Sequence, residues 1–193
     1  MKRFALLCLM VLLGTCDFGF AQEEEKKEDD NWKQETTTEE SDFPYLKEKY
    51  EETFKLPFDQ VWEAAVKSID EINCQIINKQ SKQDDNGLYK GKIESDYCIF
   101  AVGDTVWQNF NYYGVKPPFI RGGIWVSGRF QYKFIIKENE DGSTYLRLIG
   151  EVSGFETHVT DRFHFFQSNG FKETMMLERV KKNLGLPYEI KEG

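Results

Sequence analysis

The stretch RFQYKFIIKENEDGSTYLRLIGEV, residues 129–152, decides the fold because apolar and polar side chains alternate on both sides of a turn. The apolar members of this pattern are Phe130, Tyr132, Phe134, Ile136, Leu146, Leu148 and Val152. Alternation with a period of two residues is typical of a strand that has one buried face. The stretch therefore predicts two antiparallel strands that share a core on one side.

The turn between these strands determines their register. A two-residue loop of Asp141 and Gly142 would set even positions against odd ones and put the apolar residues of the two strands on opposite faces. A three-residue loop from Glu140 to Gly142 instead pairs Phe134 with Leu148 and leaves Gly142 in the left-handed conformation that such loops require. We therefore expect the three-residue loop.

A helix is predicted at the C-terminal end, from about Asn169 to Leu184. Its inner face is expected to consist of five apolar residues: Phe171, Met175, Leu177, Val180 and Leu184. Gly185 and Pro187 follow at once and are typical of the end of a helix.

On the N-terminal side, residues 47–55 fit a short edge strand, and Asp59 can cap the helix that follows. That helix carries one apolar face: Val61, Trp62, Ala65, Val66, Ile69 and Ile72. The order of strand, helix, antiparallel strands and terminal helix predicts a two-layer α+β fold, with a single antiparallel sheet and both helices on one face. We expect residues 43–190 to form one such domain.

Two cysteines, Cys74 and Cys98, flank a hairpin whose turn is predicted at Asn86-Gly87. A hairpin centred near residue 86 places the two cysteines about opposite each other. A disulfide fits this arrangement, and so do two separate buried thiols, because free cysteine packs as a small apolar residue.

Residues 100–128 form an insert that is unusually rich in aromatic residues, glycine and proline. Six aromatic residues are its candidate binding residues: Trp107, Phe110, Tyr112, Tyr113, Phe119 and Trp125. Aromatic rings exposed on a loop are suited to contact an apolar ligand or a partner protein. The alternative is that these rings fold back and cover the domain's own core.

A short segment holds both histidines of the chain, with Glu156, His158, Asp161 and His164 inside nine residues. These side chains can bind zinc, but their spacing matches none of the zinc motifs, so we predict neither a metal site nor a cofactor. The chain also lacks a Gly-x-Ser-x-Gly nucleophile elbow. We therefore predict a protein that is not an enzyme, with a metal-dependent hydrolase as the weakest alternative.

The charge of the chain is concentrated in residues 22–42, which contain ten acidic and three basic side chains. Such a segment cannot bury enough apolar surface to fold, and we predict a disordered acidic linker. The remaining residues 43–193 contain 22 acidic and 20 basic side chains. A nearly neutral domain has no long-range field to hold a polyanion, so nucleic acid is not an expected partner.

The first 21 residues have the pattern of a secretion signal. Lys2 and Arg3 precede an apolar run over residues 4–13, and small residues occur near Ala21. The apolar run is too short to span a hydrocarbon core of about 30 Å. Cleavage after Ala21 would release an extracytoplasmic protein, in the periplasm or secreted.

A lipoprotein signal is the second interpretation of the same segment. The run Leu13-Gly14-Thr15-Cys16 is similar to a bacterial lipobox, in which Cys16 would carry the lipid. The protein would then sit on a membrane surface through its acyl chains alone.

Several segments together resemble one family. The run FKLPFDQVWEAA at residues 54–65, a hairpin around DNG at residues 85–87, the Phe/Tyr-rich strand pair and the terminal helix resemble the helix-grip domains of BamC-like envelope lipoproteins. The resemblance implies a non-catalytic module that assists assembly in the bacterial cell envelope.

We therefore expect an envelope protein whose aromatic insert binds another protein. The alternative is a carrier that holds a small apolar ligand, such as a lipid, between the sheet and the C-terminal helix. Contact with a membrane is expected only through a lipid on Cys16.

Overall fold

The computed structural model describes residues 43–190. The predicted secretion signal (residues 1–21), the lipidation candidate Cys16 and the predicted acidic linker (residues 22–42) lie outside the described residues. The elements follow in the order β1 (Tyr50–Phe54), α1 (Phe58–Asp70), β2 (Ile76–Gln83), β3 (Tyr89–Ser95), β4 (Cys98–Val102), α2 (Val106–Tyr113), β5 (Gly114–Val115), β6 (Ile124–Glu138), β7 (Thr144–Thr157), β8 (Arg162–Ser168) and α3 (Phe171–Asn183).

The strands form one eight-stranded sheet with the order β2-β3-β6-β7-β8-β5. β4 pairs with β6, and β1 pairs with β7. All of these pairings are antiparallel. The α+β class and the antiparallel sheet are therefore as predicted, and α2 is a third helix that the sequence did not indicate.

The long hairpin of β6 and β7 has the predicted register. Phe134 pairs with Leu148, and Phe130 pairs with Val152. The backbone N–H of Asn139 donates to the carbonyl of Ser143 at 2.8 Å, which closes a loop of residues 140–142. Gly142 at the end of this loop has φ +76°. The three-residue loop is confirmed.

All three helices pack on the same face of the sheet. The largest core combines the even positions of β6 and β7 with α1 and α3, and includes Val61, Ala65, Ile69, Phe130, Phe134, Ile136, Leu146, Leu148, Met176 and Val180. The ring of Phe110, in α2, lies over Gly128 and Gly154, which share that face. Each of these helices is too short, or too polar, to cross a lipid bilayer.

The predicted cap of the first helix is wrong. α1 begins at Phe58, after Pro57, and no side chain caps it. Asp59 lies within the first helical turn instead. Its negative charge is favourable there because the N-terminal end of a helix carries partial positive charge.

The C-terminal helix begins at Phe171, two residues later than predicted. Gly170 precedes it with φ +87°. The N–H of Gly170 donates to Ser168 Oγ at 3.1 Å, and that hydroxyl donates to Glu173 Oε2 at 2.8 Å. This relay links the start of the helix to Glu173.

The inner face of α3 also differs from the predicted one. Its buried residues are Glu173, Met176, Leu177 and Val180. Met176 is buried rather than the predicted Met175. It lies three residues after the buried Glu173 and therefore shares the same face of the helix. A charged residue on a buried face carries no apolar signal, so the sequence pattern pointed to the neighbouring methionine.

A disulfide joins Cys74, which follows α1, to Cys98 at the start of β4. Their Cα atoms are 5.5 Å apart, and 24 positions separate the two residues in sequence. Of the two arrangements that the sequence left open, the structure has the disulfide. The bond ties the end of α1 to the strand that leads into the aromatic insert.

Candidate functional site

The insert contains a helix where the sequence predicted an aromatic loop. A single turn of 3₁₀ helix, Gly103–Thr105, follows β4 and continues into α2. The Thr105 hydroxyl donates to the carbonyl of Val102 at 3.0 Å, and the side-chain amide of Asn109 donates to the carbonyl of Thr105 at 2.8 Å. These local bonds stabilise the turn and the start of α2.

Phe110 anchors α2 in a depression formed by two glycines. Gly128 and Gly154 pair directly with each other across β6 and β7. A Cβ atom added to Gly154 would lie 2.1 Å from Phe110 Cζ, and one added to Gly128 would lie 2.7 Å from Phe110 Cε1. The ring therefore occupies the space that two side chains would fill, and Phe110 is fully buried.

Three of the predicted binding residues line a cleft beside α2. We call this surface, formed by Gly103, Asp104, Trp107, Phe119, Ile120, Gly123, Ile124 and Trp125, the aromatic cleft. Its volume is about 320 Å³. The rings of Trp107 and Phe119 meet edge to face with centroids 6.2 Å apart. Phe119 is 81% exposed and Trp107 is 37% exposed.

The cleft rests on the buried anchor of α2. The Trp125 ring meets Phe110 with centroids 5.0 Å apart and also contacts the ring of His164. Trp125 thus has one edge in the core and another in the cleft. The contact between Trp125 and Phe110 is the rigid part of the site. Phe119, at the rim, extends into solvent instead.

The other two predicted binding residues, Tyr112 and Tyr113, lie away from the cleft and contact Phe171 of α3. The Lys172 ammonium lies over the rings of Tyr113, at 4.0 Å, and Phe100, at 4.6 Å. Burial lowers the pKa of Lys172 to about 8. These tyrosines therefore attach α2 to α3.

Glu156 holds one residue of the cleft, Ile124, in place. Its carboxylate is buried and accepts hydrogen bonds from the N–H groups of Ile124 at 3.2 Å, Val159 at 3.1 Å and Thr160 at 2.7 Å. The Thr160 hydroxyl also donates to Glu156 and is 2.7 Å from His164 Nε2. The Glu156 side chain thus connects the start of β6 to the loop after β7.

These hydrogen bonds give Glu156 an unusual pKa. Burial alone would raise it, but the donors from Thr160, Val159 and Ile124 outweigh burial and lower the pKa from 4.5 to about 2. Because the folded pKa is depressed, the stabilisation by Glu156 is present above about pH 4.5 and is lost as the pH falls toward 2.

We expect a Glu156→Gln variant to melt at a lower temperature than the wild type at pH 7, because an amide cannot accept all four hydrogen bonds. The difference in Tm should shrink steadily as the pH falls from 5 to about 2.5, since over that interval the unfolded chain takes up a proton on Glu156 while the folded protein still holds the carboxylate. Thermal unfolding followed by circular dichroism across this pH range measures it.

Glu63→Gln is the matched control, because Glu63 is exposed on α1. Its Tm should follow the wild type at every pH. A gap between the Glu156→Gln variant and the wild type that stays constant with pH would contradict an ionised Glu156 as the acceptor of these bonds.

The histidine-containing segment does not gather into a metal site. Within residues 43–190, no three side chains of His, Cys, Asp or Glu are grouped so that they could hold a metal ion. His158 and Asp161 have φ values of 88° and 48°, in the tight loop that Glu156 organises. The segment therefore serves to shape the loop beside the cleft.

The helix-free face of the sheet carries aromatic residues that sequence reasoning missed. The Arg129 guanidinium lies between the rings of Tyr97, at 3.8 Å, and Phe163, at 3.3 Å, and its Nε donates to Ser153 Oγ at 3.0 Å. Burial and a hydrogen bond to Glu151 raise the pKa of Tyr97 to about 12. The sequence of β8 did contain a signal for this aromatic surface, because aromatic residues occur on both faces of that strand.

Asp104 is the charged residue of the cleft that the sequence did not single out. It lies in the 3₁₀ turn directly before α2 and lines the cleft beside Trp107. The sequence does not show its neighbours in the cleft, because Phe119 and Ile124 come from the far end of the insert and reach the cleft only in the folded structure.

No protein-family model matches the chain, and no curated protein matches it with significance.

Proposed function

We propose that this protein is a non-catalytic binding module of the bacterial cell envelope and that its aromatic cleft contacts another protein. The observation that carries the proposal is the exposure of Phe119 beside Trp107 and Ile124. Exposed aromatic rings that lie together are typical of interaction sites, and buried aromatic anchors supply much of the energy of protein interfaces. Burial of Phe119 by a partner would contribute about 2 kcal/mol from removal of apolar area alone.

The location of the cleft also supports a docking role. Phe110 and Trp125 hold it on the packed end of the sheet, so its rings are presented by a rigid support. A preorganised surface loses less conformational entropy when a partner binds. The disulfide between Cys74 and Cys98 supports an extracytoplasmic location, because such bonds persist in oxidising compartments.

The resemblance to BamC-like helix-grip domains points in the same direction. We propose that α3 packing against the antiparallel sheet corresponds to the helix-grip arrangement. The resemblance supports assembly or accessory functions in the envelope, with a secretion or lipoprotein signal in the first 21 residues.

A carrier of an apolar ligand is the second candidate. It requires space between the sheet and α3, but Phe130, Tyr132, Met176 and Val180 are buried there in one hydrophobic core. The aromatic cleft is the better place for such a ligand, since its volume of about 320 Å³ lies at the lower end of ligand sites. This packing favours the protein-binding role.

Photo-crosslinking in the native cells tests the proposal. We expect benzoylphenylalanine at position 119 to crosslink to one defined protein, and Trp107→Ala to reduce that product severalfold because it removes half of the ring pair. Position 77 is the control, because Ile77 is exposed on β2 at the far edge of the sheet. Equal products from positions 119 and 77, or lipid adducts alone at position 119, would contradict a protein-binding cleft.

A further inference from the structure

The aromatic cleft has an unusual chemical composition. Two tryptophans and a phenylalanine supply its rings, and Gly103 and Gly123 also line it. Asp104 is the one charged side chain among the residues that line it. Within residues 43–190 this carboxylate is paired with no lysine, arginine or histidine.

This composition favours a cation over a neutral apolar group. Aromatic faces attract a positive charge through the electron density of the ring, and the carboxylate adds a charge-assisted hydrogen bond. A purely apolar occupant would leave Asp104, which is exposed and lines the cleft, without a partner. An anion would meet only repulsion from Asp104.

An arginine side chain satisfies these requirements better than a lysine. Its planar guanidinium stacks on aromatic faces while its N–H groups bind a carboxylate. The chain itself contains the stacking half of this arrangement on the other face of the sheet, where Arg129 lies between Tyr97 and Phe163 and donates to the Ser153 hydroxyl. Arg121, which is exposed and next to Ile120, is not among the residues that line the cleft.

We infer that the aromatic cleft receives an arginine side chain of the partner protein, stacked on the tryptophan rings and paired with Asp104. The inference rests on the proposed function, because it names the contact through which the partner docks. The guanidinium takes the position between Asp104 and Trp107, and Phe119 closes over its aliphatic stem.

The test uses N-acetyl-arginine methylamide as the probe and N-acetyl-citrulline methylamide as its uncharged isostere. Both are titrated into ¹⁵N-labelled protein, and the indole N–H signals of Trp107 and Trp125 are followed by NMR. We expect the arginine compound to bind about fivefold more tightly than the citrulline compound, the sum of an exposed cation–π contact and an exposed ion pair. Asp104→Asn should remove the ion-pair part of this preference, and Arg121→Gln should preserve the whole of it.

Several results would refute the arginine contact. Equal binding of the two compounds, no shift of either indole signal, or tighter binding of choline than of the arginine compound would each do so, the last in favour of a quaternary ammonium head group. In cells, crosslinking from position 119 that survives Asp104→Asn would reject the arginine contact while leaving the protein-binding function in place. Failure of all crosslinking at position 119 would instead reject the proposed function, whatever the titration gives.

Discussion

Phe110→Ala should lower the free energy of unfolding by about 3–5 kcal/mol, the range found when a buried phenylalanine is truncated. The ring is fully buried, and it fills the depression over Gly128 and Gly154. Those glycines have no side chains that can move into the vacated space, so the cavity cannot collapse easily. Urea unfolding at pH 7, followed by circular dichroism, measures the change.

Phe119→Ala is the matched control, because it makes the same substitution in the same insert at an exposed ring. It should change the free energy of unfolding by less than about 1 kcal/mol. A loss of similar size in both variants would contradict the separate roles that we assign to these rings.

The same depression can be tested from the sheet side. Gly154→Ala places a methyl group 2.1 Å from the present position of Phe110 Cζ, so one of the two must move. We expect the Phe110→Leu substitution to cost less in the Gly154→Ala background than in the wild type, because the smaller side chain leaves room for the methyl group. Additive effects of the two substitutions would mean that they do not share this space.

Loss of the disulfide is expected to have the second-largest effect. A crosslink that encloses a loop of this length stabilises a protein by about 3 kcal/mol through restriction of the unfolded chain. The sequence separation of Cys74 and Cys98 is 24. We therefore expect the Cys74→Ala, Cys98→Ala double variant to lose about 3 kcal/mol in urea unfolding.

Reducing agent supplies the internal comparison. Dithiothreitol should destabilise the wild type toward the value of the double variant and should leave the double variant unchanged. If thiol alkylation of the unreduced, unfolded protein labels both cysteines, the bond is absent in solution and this expectation fails.

The β6–β7 hairpin could be predicted in detail because its determinants are local. The alternation of side chains defines the buried face. Its apolar residues have even numbers on both strands, so only a loop with an odd number of residues places them on the same side of the sheet. Gly142 then supplies the conformation that the loop requires. Each step depends on residues within 24 positions of one another in the printed sequence.

The aromatic insert could be predicted as a set of residues but not as a site. Its six rings divide among a buried anchor at Phe110, the cleft, and a contact with α3. The pairing of Gly128 with Gly154 sets the buried Phe110 ring apart from the other five. These two glycines lie on different strands, β6 and β7, so the sequence alone does not show their pairing. The helix α2 was missed because it has only eight residues, in a segment rich in glycine and proline.

The inner face of α3 was missed for a different reason. Burial of Glu173 depends on its hydrogen bond with Ser168, which no hydrophobicity pattern contains. In the same way, the buried Glu156 is explained by donors from a loop and from β6. Satisfied buried charges are features of tertiary structure, and a single sequence shows them only as polar residues.

The pairing of β1 with β7 has a consequence for the order of events during synthesis. Tyr50 pairs with Leu148, so β1 leaves the ribosome roughly one hundred residues before its partner strand. At 5–20 residues per second, that wait is about 5–20 seconds. A free strand can join the wrong neighbour during this time, and charged residues discourage such pairing. Glu51 and Glu52 within β1 supply such charge.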